Sequence, residues 1–202
     1  HEEYDVSLPR RENKTGKGHK GFLVSADPQM TFEEASARRD FTINSIGFDP
    51  IHQLWLDPHH GQEDLRKGIL RHVGPAFAED PLRVLRGAQF AARLNFQLAP
   101  ETLELCQTLD LNELSRERLL SEFKKLLLRA ERPSIGLEIL QQTKTLRFFP
   151  ELEALIDVPQ DPKWHPEGCV WTHTLMVVDE AAKLRVGEEK ADLVLMFGAL
   201  CH

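Results

Sequence analysis

Arg38-Arg39-Asp40-Phe41-Thr42-Ile43-Asn44 places two arginines and a carboxylate against apolar neighbours at a boundary between elements. A second run of the same character follows, Glu79-Asp80-Pro81-Leu82-Arg83-Val84-Leu85-Arg86. Charged side chains in such positions need a partner or a ligand. Working outward from the first run, residues 31–38 read as a short helix with Thr31 as its cap, and residues 43–48 as a β-rich run. Asp49-Pro50 turns the chain into residues 52–57, which predicts a hairpin. Residues 4–8, 22–24 and 69–73 are further candidate strands. Residues 13–21 hold three glycines and predict a mobile loop.

From residue 79 the periodicity becomes helical. Asp80-Pro81 predicts a helix start, with Asp80 as cap and Pro81 in the first turn, where a missing N–H costs nothing. Pro100 opens a helix with Leu103, Cys106 and Leu109 on one face. Ser115 opens another with an apolar stripe of Leu119, Leu120, Phe123, Leu126 and Leu127. Pro133 starts a fourth, with Ile135, Ile139 and Leu140 inward. Residues 150–168 carry four prolines and read as a linker before a last helical region over 170–202.

The 202 residues suffice for one large domain or two small ones, and the net charge of −7 excludes a generic polyanion binder. A nucleic-acid partner needs a local basic surface, for which Arg10, Arg11, Lys14, Lys17 and Lys20 are candidates. A solvated loop is the plainer reading of that run. Three cysteines without paired or metal-ligand spacing suggest reduced thiols in a cytoplasmic protein. No apolar run is long enough to span a bilayer.

The two charged runs resemble the nucleotide-binding motifs of the class II tRNA nucleotidyltransferase (CCA-adding enzyme) and bacterial poly(A) polymerase family, its "RRDFTIN" and "EDxxR" segments, in the family's order. The stretch Asp57-Pro58-His59-His60-Gly61 with Asp64-Leu65 and Arg71 resembles a third motif, which links head and neck. Ser115-Arg116-Glu117-Arg118 with Glu122 and Lys125 resembles a helix-stabilising motif, although i,i+3 ion pairs and capping on an exposed face account for it as well. The resemblance implies an α+β chain: part of a nucleotidyltransferase head over 1–75, a helical neck that binds nucleotide and RNA over 76–150, and a linker with the start of a helical HD domain over 151–202. The implied reaction adds CMP and AMP, from CTP and ATP, to the tRNA 3′ end without a nucleic-acid template.

Each site residue has a role implied by the family and a plainer alternative. Asp5, on a strand before Arg11-Glu12, is the candidate metal-site acid for Mg2+, yet an acid on a strand can simply face water. Arg39 is implied to contact phosphates or ribose and Asp40 the ribose hydroxyl; a surface salt bridge is the alternative. Asp80 and Arg83 share a helical face and are implied to read the base edges of cytosine and adenine, while capping competes for Asp80. Arg86 is implied to bind phosphate. Gln89 stands where the family often has arginine. His173 and His202 fall where an HD domain holds a transition metal; packed or surface histidines are commoner. The family's Asp-x-Asp pair is not in this sequence, so the chain reads as the central part of a longer enzyme, not expected to transfer nucleotides alone. The rivals are a poly(A) polymerase and a non-catalytic tRNA-binding relative.

Overall fold

The computed structural model describes residues 10–14 and 22–202 of the chain. The strand expected over 4–8, which contains Asp5, lies outside them, as does most of the glycine loop. The fold is α+β, and the described residues form three small two-stranded sheets ahead of and beside a helical array. Part of the basic run is strand rather than loop: β1 (Arg10–Lys14) pairs antiparallel with β2 (Phe22–Ala26). Helix α1 (Phe32–Ser36) starts as its sequence dictates. Thr31 Oγ1 accepts from the Glu34 N–H while the Glu34 carboxylate accepts from the Thr31 N–H, a reciprocal capping box.

The run 43–48 is only partly extended. Thr42–Asn44 forms a 3-10 turn, closed where the Ser45 N–H and hydroxyl both donate to the Thr42 carbonyl. The strand β3 (Gly47–Asp49) begins after it and pairs antiparallel with β4 (Leu54–Leu56), so the hairpin forms in shortened form. β-propensity yields here to burial. Phe41, Thr42 and Ser45 are all buried, and an extended run would turn alternate side chains outward. Likewise the strand expected over 69–73 is β5 (Ile69–Leu70), pairing parallel with β6 (Gln97–Leu98), followed by an isolated bridge from His72 to Phe41.

The turn before helix α2 (Gly61–Lys67) is set by one carboxylate. Asp57 accepts from the Gly61 and Gln62 N–H groups at 2.6 and 2.9 Å. Glycine is required at 61, because a Cβ there would stand 2.1 Å from the Thr42 carbonyl oxygen.

Helix α3 (Arg83–Leu94) is the axis of the molecule, with Val84, Leu85, Ala88, Ala91 and Ala92 buried. Asp80 is not its N-cap; Leu82 is. Asp80 instead closes a turn, its Oδ1 accepting from the Leu82 N–H at 3.3 Å and its carbonyl from the Arg83 N–H. Helix α4 (Pro100–Gln107) opens on its proline and buries Cys106, with Leu109 buried just beyond it. Helix α5 (Arg116–Arg129), capped by Ser115, buries Phe123, Leu126 and Leu127, but Leu120 faces solvent. Helix α6 (Pro133–Gln142) buries Leu137, Ile139 and Leu140.

The expected linker begins with structure: a 3-10 turn over Thr145–Phe148 leads into the short α7 (Pro150–Glu153). The last helical region is two helices, α8 (Val170–Lys183) and α9 (Glu189–Leu200), separated by a turn in which Gly187 takes φ +86°. Two side chains bind these helices to α5 and α6. Asp179 on α8 accepts from the Ser134 N–H and hydroxyl at the start of α6. Arg185 donates to the Leu127 and Ala130 carbonyls at the end of α5. All three cysteines are free, and burial pushes the Cys106 thiol up to about 12. Among the described residues no helix is long and apolar enough to cross a membrane.

Helices α3 and α6 approach so closely that Gly136 has no room for a methyl group: a Cβ would lie 2.4 Å from Leu126 Cδ1 and 2.7 Å from the Ala88 carbonyl oxygen. Gly136→Ala should therefore destabilise the protein by about 1–3 kcal/mol despite alanine's better helix propensity, read as a lower urea midpoint. An unchanged or raised midpoint would contradict this packing.

Candidate nucleotide site

The two charged runs, far apart in sequence, meet in space. Asp40 is buried, and its Oδ2 receives the Arg86 Nε and Nη2 groups at 2.7 and 2.6 Å. Its Oδ1 accepts from the Phe41 N–H at 2.8 Å and Asn44 Nδ2 at 3.0 Å. Burial raises the Asp40 carboxyl pKa, but the Arg86 charge and these hydrogen bonds outweigh it and hold the pKa below its ordinary value. Between the runs, the Phe41 ring is fully buried, edge-on to Phe77 and Phe90 at 5.5 and 6.0 Å.

Arg83 is anchored by backbone. Its Nη1 donates to the Ala76 carbonyl at 2.6 Å and its Nη2 to the Arg38 carbonyl at 2.7 Å, so the second run grips the first directly. Burial lowers the Arg83 pKa against the charges of Asp80 and Asp40, yet a guanidinium stays charged in proteins. Asp80 Oδ2 accepts from Arg118 Nη2 at 2.7 Å, a contact from α5 that the sequence did not disclose. Arg39 is exposed. The structure thus brings Asp40, Arg83 and Arg86 into one cluster with Asp80 at its margin, and leaves Arg39 at the surface.

Gln89 is buried on α3, where its Oε1 accepts from Arg93 Nη1 at 3.0 Å. A neutral amide suits that enclosed position, and the next cation along the helix is Arg93, which lies over the Phe90 ring. The third motif joins the first: Thr42 donates to Asp64 at 2.7 Å, Arg71 Nε donates to Asp64 at 3.1 Å, and Arg71 pairs with Glu101 on α4. In the fourth, Ser115 caps α5 and Lys125 pairs with Glu122, yet Glu122 is buried and Arg118 turns toward Asp80. An exposed ion-pair face does not describe that motif.

A separate open groove of about 730 Å³ lies between α8 and α9, lined by residues that include Glu167, His173, Met176 and His202. His173 Nδ1 and His165 Nδ1 both bond Glu167 Oε1, at 2.6 and 3.1 Å. Hydrogen bonds from its own backbone N–H and from the His173 and His165 rings hold the Glu167 carboxyl at about 2. The His173 and His202 ring centroids are 5.8 Å apart. Ligand atoms of His165, Glu167 and His173 lie within 4.8 Å of one another, so the donors suit a divalent transition ion. The sequence offers His173 and His202 as ligands; His165 and Glu167 lie in the stretch from Trp164 to Leu175 that resembles the opening of an HD domain, and the structure adds them to the cluster.

With this geometry in hand, comparison with known proteins is informative. Residues 1–71 match the poly A polymerase head domain, and residues 95–156 match the probable RNA and SrmB-binding site of polymerase A. A multifunctional CCA protein from Stenotrophomonas maltophilia is 46% identical over 209 residues, covering 100% of this chain and 50% of that protein. The chain belongs to the tRNA nucleotidyltransferase and poly(A) polymerase family. It spans about half the length of the curated relatives it matches. The Bacillus stearothermophilus CCA-adding enzyme in complex with CTP superposes with a TM-score of 0.53 at 36% identity, over 58% of this chain and 30% of that one. A tRNA nucleotidyltransferase complexed with a primer tRNA and an incoming ATP analog gives a TM-score of 0.55 at 28% identity, over 90% of this chain and 60% of that one.

The Asp40–Arg86 pair carries a pH signature. A carboxylate whose folded pKa is depressed stabilises the fold fully above its ordinary value of 3.8, and that contribution is lost as the pH falls through this value toward the lower folded pKa. Asp40→Asn should cost about 2 kcal/mol at pH 7, in the range of a hydrogen bond to a charged group. The deficit relative to the parent should shrink toward pH 3, followed by urea denaturation at several pH values. A deficit that is constant with pH would mean that the carboxylate charge contributes nothing.

Proposed function

We propose that this chain carries the nucleotide-selecting part of a cytoplasmic tRNA nucleotidyltransferase that adds CMP and AMP to the tRNA 3′ end without a nucleic-acid template, releasing pyrophosphate. The observation that carries this reading is the meeting of the two motifs, with Arg86 on Asp40 and Arg83 on the Arg38 carbonyl. Residues 1–75 serve as head, 76–150 as neck, and 151–202 as linker and the opening of an HD domain. Chemically, the tRNA hydroxyl attacks the α-phosphate, and Mg2+ held in part by Asp5 supplies charge neutralisation when bound.

The described residues supply selection. Asp80 offers acceptor oxygens and Arg83 donors to a Watson–Crick edge. Cytosine and adenine present an exocyclic amino donor to that carboxylate, whereas uracil and guanine present a carbonyl. Arg83 spends one N–H of each terminal nitrogen on backbone carbonyls, and each such nitrogen carries a second. Asp40 faces the ribose hydroxyl. Arg86 grips Asp40 through Nε and Nη2, which leaves Nη1 outside the pair for phosphate. Arg39, exposed beside them, meets the phosphates or the ribose. His165, Glu167 and His173, with His202 near, would hold a transition metal that acts as a Lewis acid in the HD domain. A poly(A) polymerase would share all of this and differ in its acceptor, a distinction that tRNA and oligo(A) binding separates.

Equilibrium binding of the four ribonucleotides to the chain tests the reading. Asp80→Ala with Arg83→Ala should reduce discrimination by about 1–3 kcal/mol while tRNA affinity stays nearly constant, because tRNA rests on backbone contacts elsewhere. Arg39→Ala should weaken all four alike. If the Asp80/Arg83 variant lost every nucleotide in the same proportion, the selecting role would be wrong.

A further inference from the structure

We infer that Arg118 is a specificity-positioning residue, fixing the Asp80 carboxylate in the orientation that reads the base; this deepens the selection role proposed above and rests on it. Three observations carry it. First, the contact is long-range, joining Arg118 Nη2 to Asp80 Oδ2 at 2.7 Å across 38 residues of sequence. Second, helix stability does not account for an arginine at this place. Arg118 is the third residue of α5 after its cap Ser115, within the first turn, where the helix dipole disfavours positive charge. The cation there is matched by a carboxylate from outside its own helix. Third, the two Asp80 oxygens have separate tethers, Oδ1 to the Leu82 N–H at 3.3 Å and Oδ2 to Arg118.

Two tethers define what one leaves undefined. With only the Leu82 N–H, the carboxylate can rotate about its Cβ–Cγ bond, a broad and soft torsion. Fixing both oxygens sets the carboxylate plane, while each oxygen keeps a further lone pair for an incoming amino group. Selection between an amino and a carbonyl group at one position requires an acceptor that cannot turn away from the wrong partner. Asp80 precedes α3 on a turn, whereas Arg118 stands on a 14-residue helix packed into the core, so the rigid element orients the looser one.

Binding of CTP, ATP, UTP and GTP to the chain tests this with Arg118→Met, which keeps the apolar stem and removes the fork, and with Arg118→Lys. Arg118→Met should lower the CTP-over-UTP preference about tenfold, as loss of a well-formed base contact does. Arg118→Lys should retain part of it, since a point charge still holds one oxygen. Asp80→Ala should lose the preference too, and adding Arg118→Met to Asp80→Ala should change nothing further. A merely structural role would weaken all four nucleotides together or lower the thermal midpoint without moving the ratio. If Arg118→Met keeps the preference that Asp80→Ala loses, this inference is overturned and the selection reading survives. An unaltered chain that binds all four nucleotides alike, or none, overturns the selection reading and this inference with it.

Discussion

Everything in the candidate site depends on one buried carboxylate. Leaving Asp40 without a counter-charge would cost several kcal/mol, so the fold has to bring a cation to it. That cation is Arg86, one turn into α3, and its arrival fixes where α3 lies against the first motif. The Oδ1 oxygen is held locally, by the Phe41 N–H and Asn44, and so keeps the first motif in shape. The Oδ2 oxygen is held by Arg86 on α3. One side chain thus couples a loop conformation to the placement of α3, and Phe41, buried beside it, provides the apolar contact on the carboxylate's inner side.

The third motif reinforces the same junction by a different route. Asp64 on α2 accepts from Thr42 in the first motif and from Arg71, and Arg71 reaches Glu101 on α4. The backbone follows the side chains: the Thr42 N–H donates to the Arg71 carbonyl and the Val73 N–H to the Asp40 carbonyl. The segment before α3 and the helices that follow therefore share two polar seams, one through α3 and one through α4. This is the physical content of a linking motif: a chain of paired charges rather than a hinge.

Much of this was legible in the sequence, and the failures share a cause. Capping residues acted locally and were read correctly: Thr31 at α1, Ser115 at α5, and Pro100 and Pro133 at the starts of α4 and α6. Local chemistry failed where tertiary burial overrode it. Ile43 sits in a β-rich run, yet its segment coils because Phe41, Thr42 and Ser45 all turn inward. Asp80-Pro81 looked like a cap and a first turn, but the carboxylate serves a turn and an arginine on another helix. Leu120 fits the apolar stripe of α5 by spacing, yet it alone of that stripe faces solvent. The meeting of Asp40 with Arg86, 46 residues apart, has no local signal at all, and the resemblance implied a ribose contact for one and a phosphate contact for the other rather than this pair. The stretch from Trp164 to Leu175 was legible as HD-like, but that His165 and Glu167 gather on His173 was not, because they precede α8 and share no helical face with it.

In the proposed site, charged groups are placed to meet a ligand without remaining mobile. Arg83, Arg86 and Asp80 each commit part of their hydrogen-bonding capacity to protein partners: the Ala76 and Arg38 carbonyls, the Asp40 carboxylate, and the Leu82 N–H with Arg118. Each retains further donors or lone pairs. Side chains held in this way lose less conformational entropy when a ligand arrives, about 0.5–1.5 kcal/mol for each long side chain already ordered. They also cannot reorient to satisfy a mismatched partner, so an incorrect base leaves polar atoms unpaired instead of finding new ones. Under the proposed selection role, the same internal contacts make the exposed halves of these groups selective.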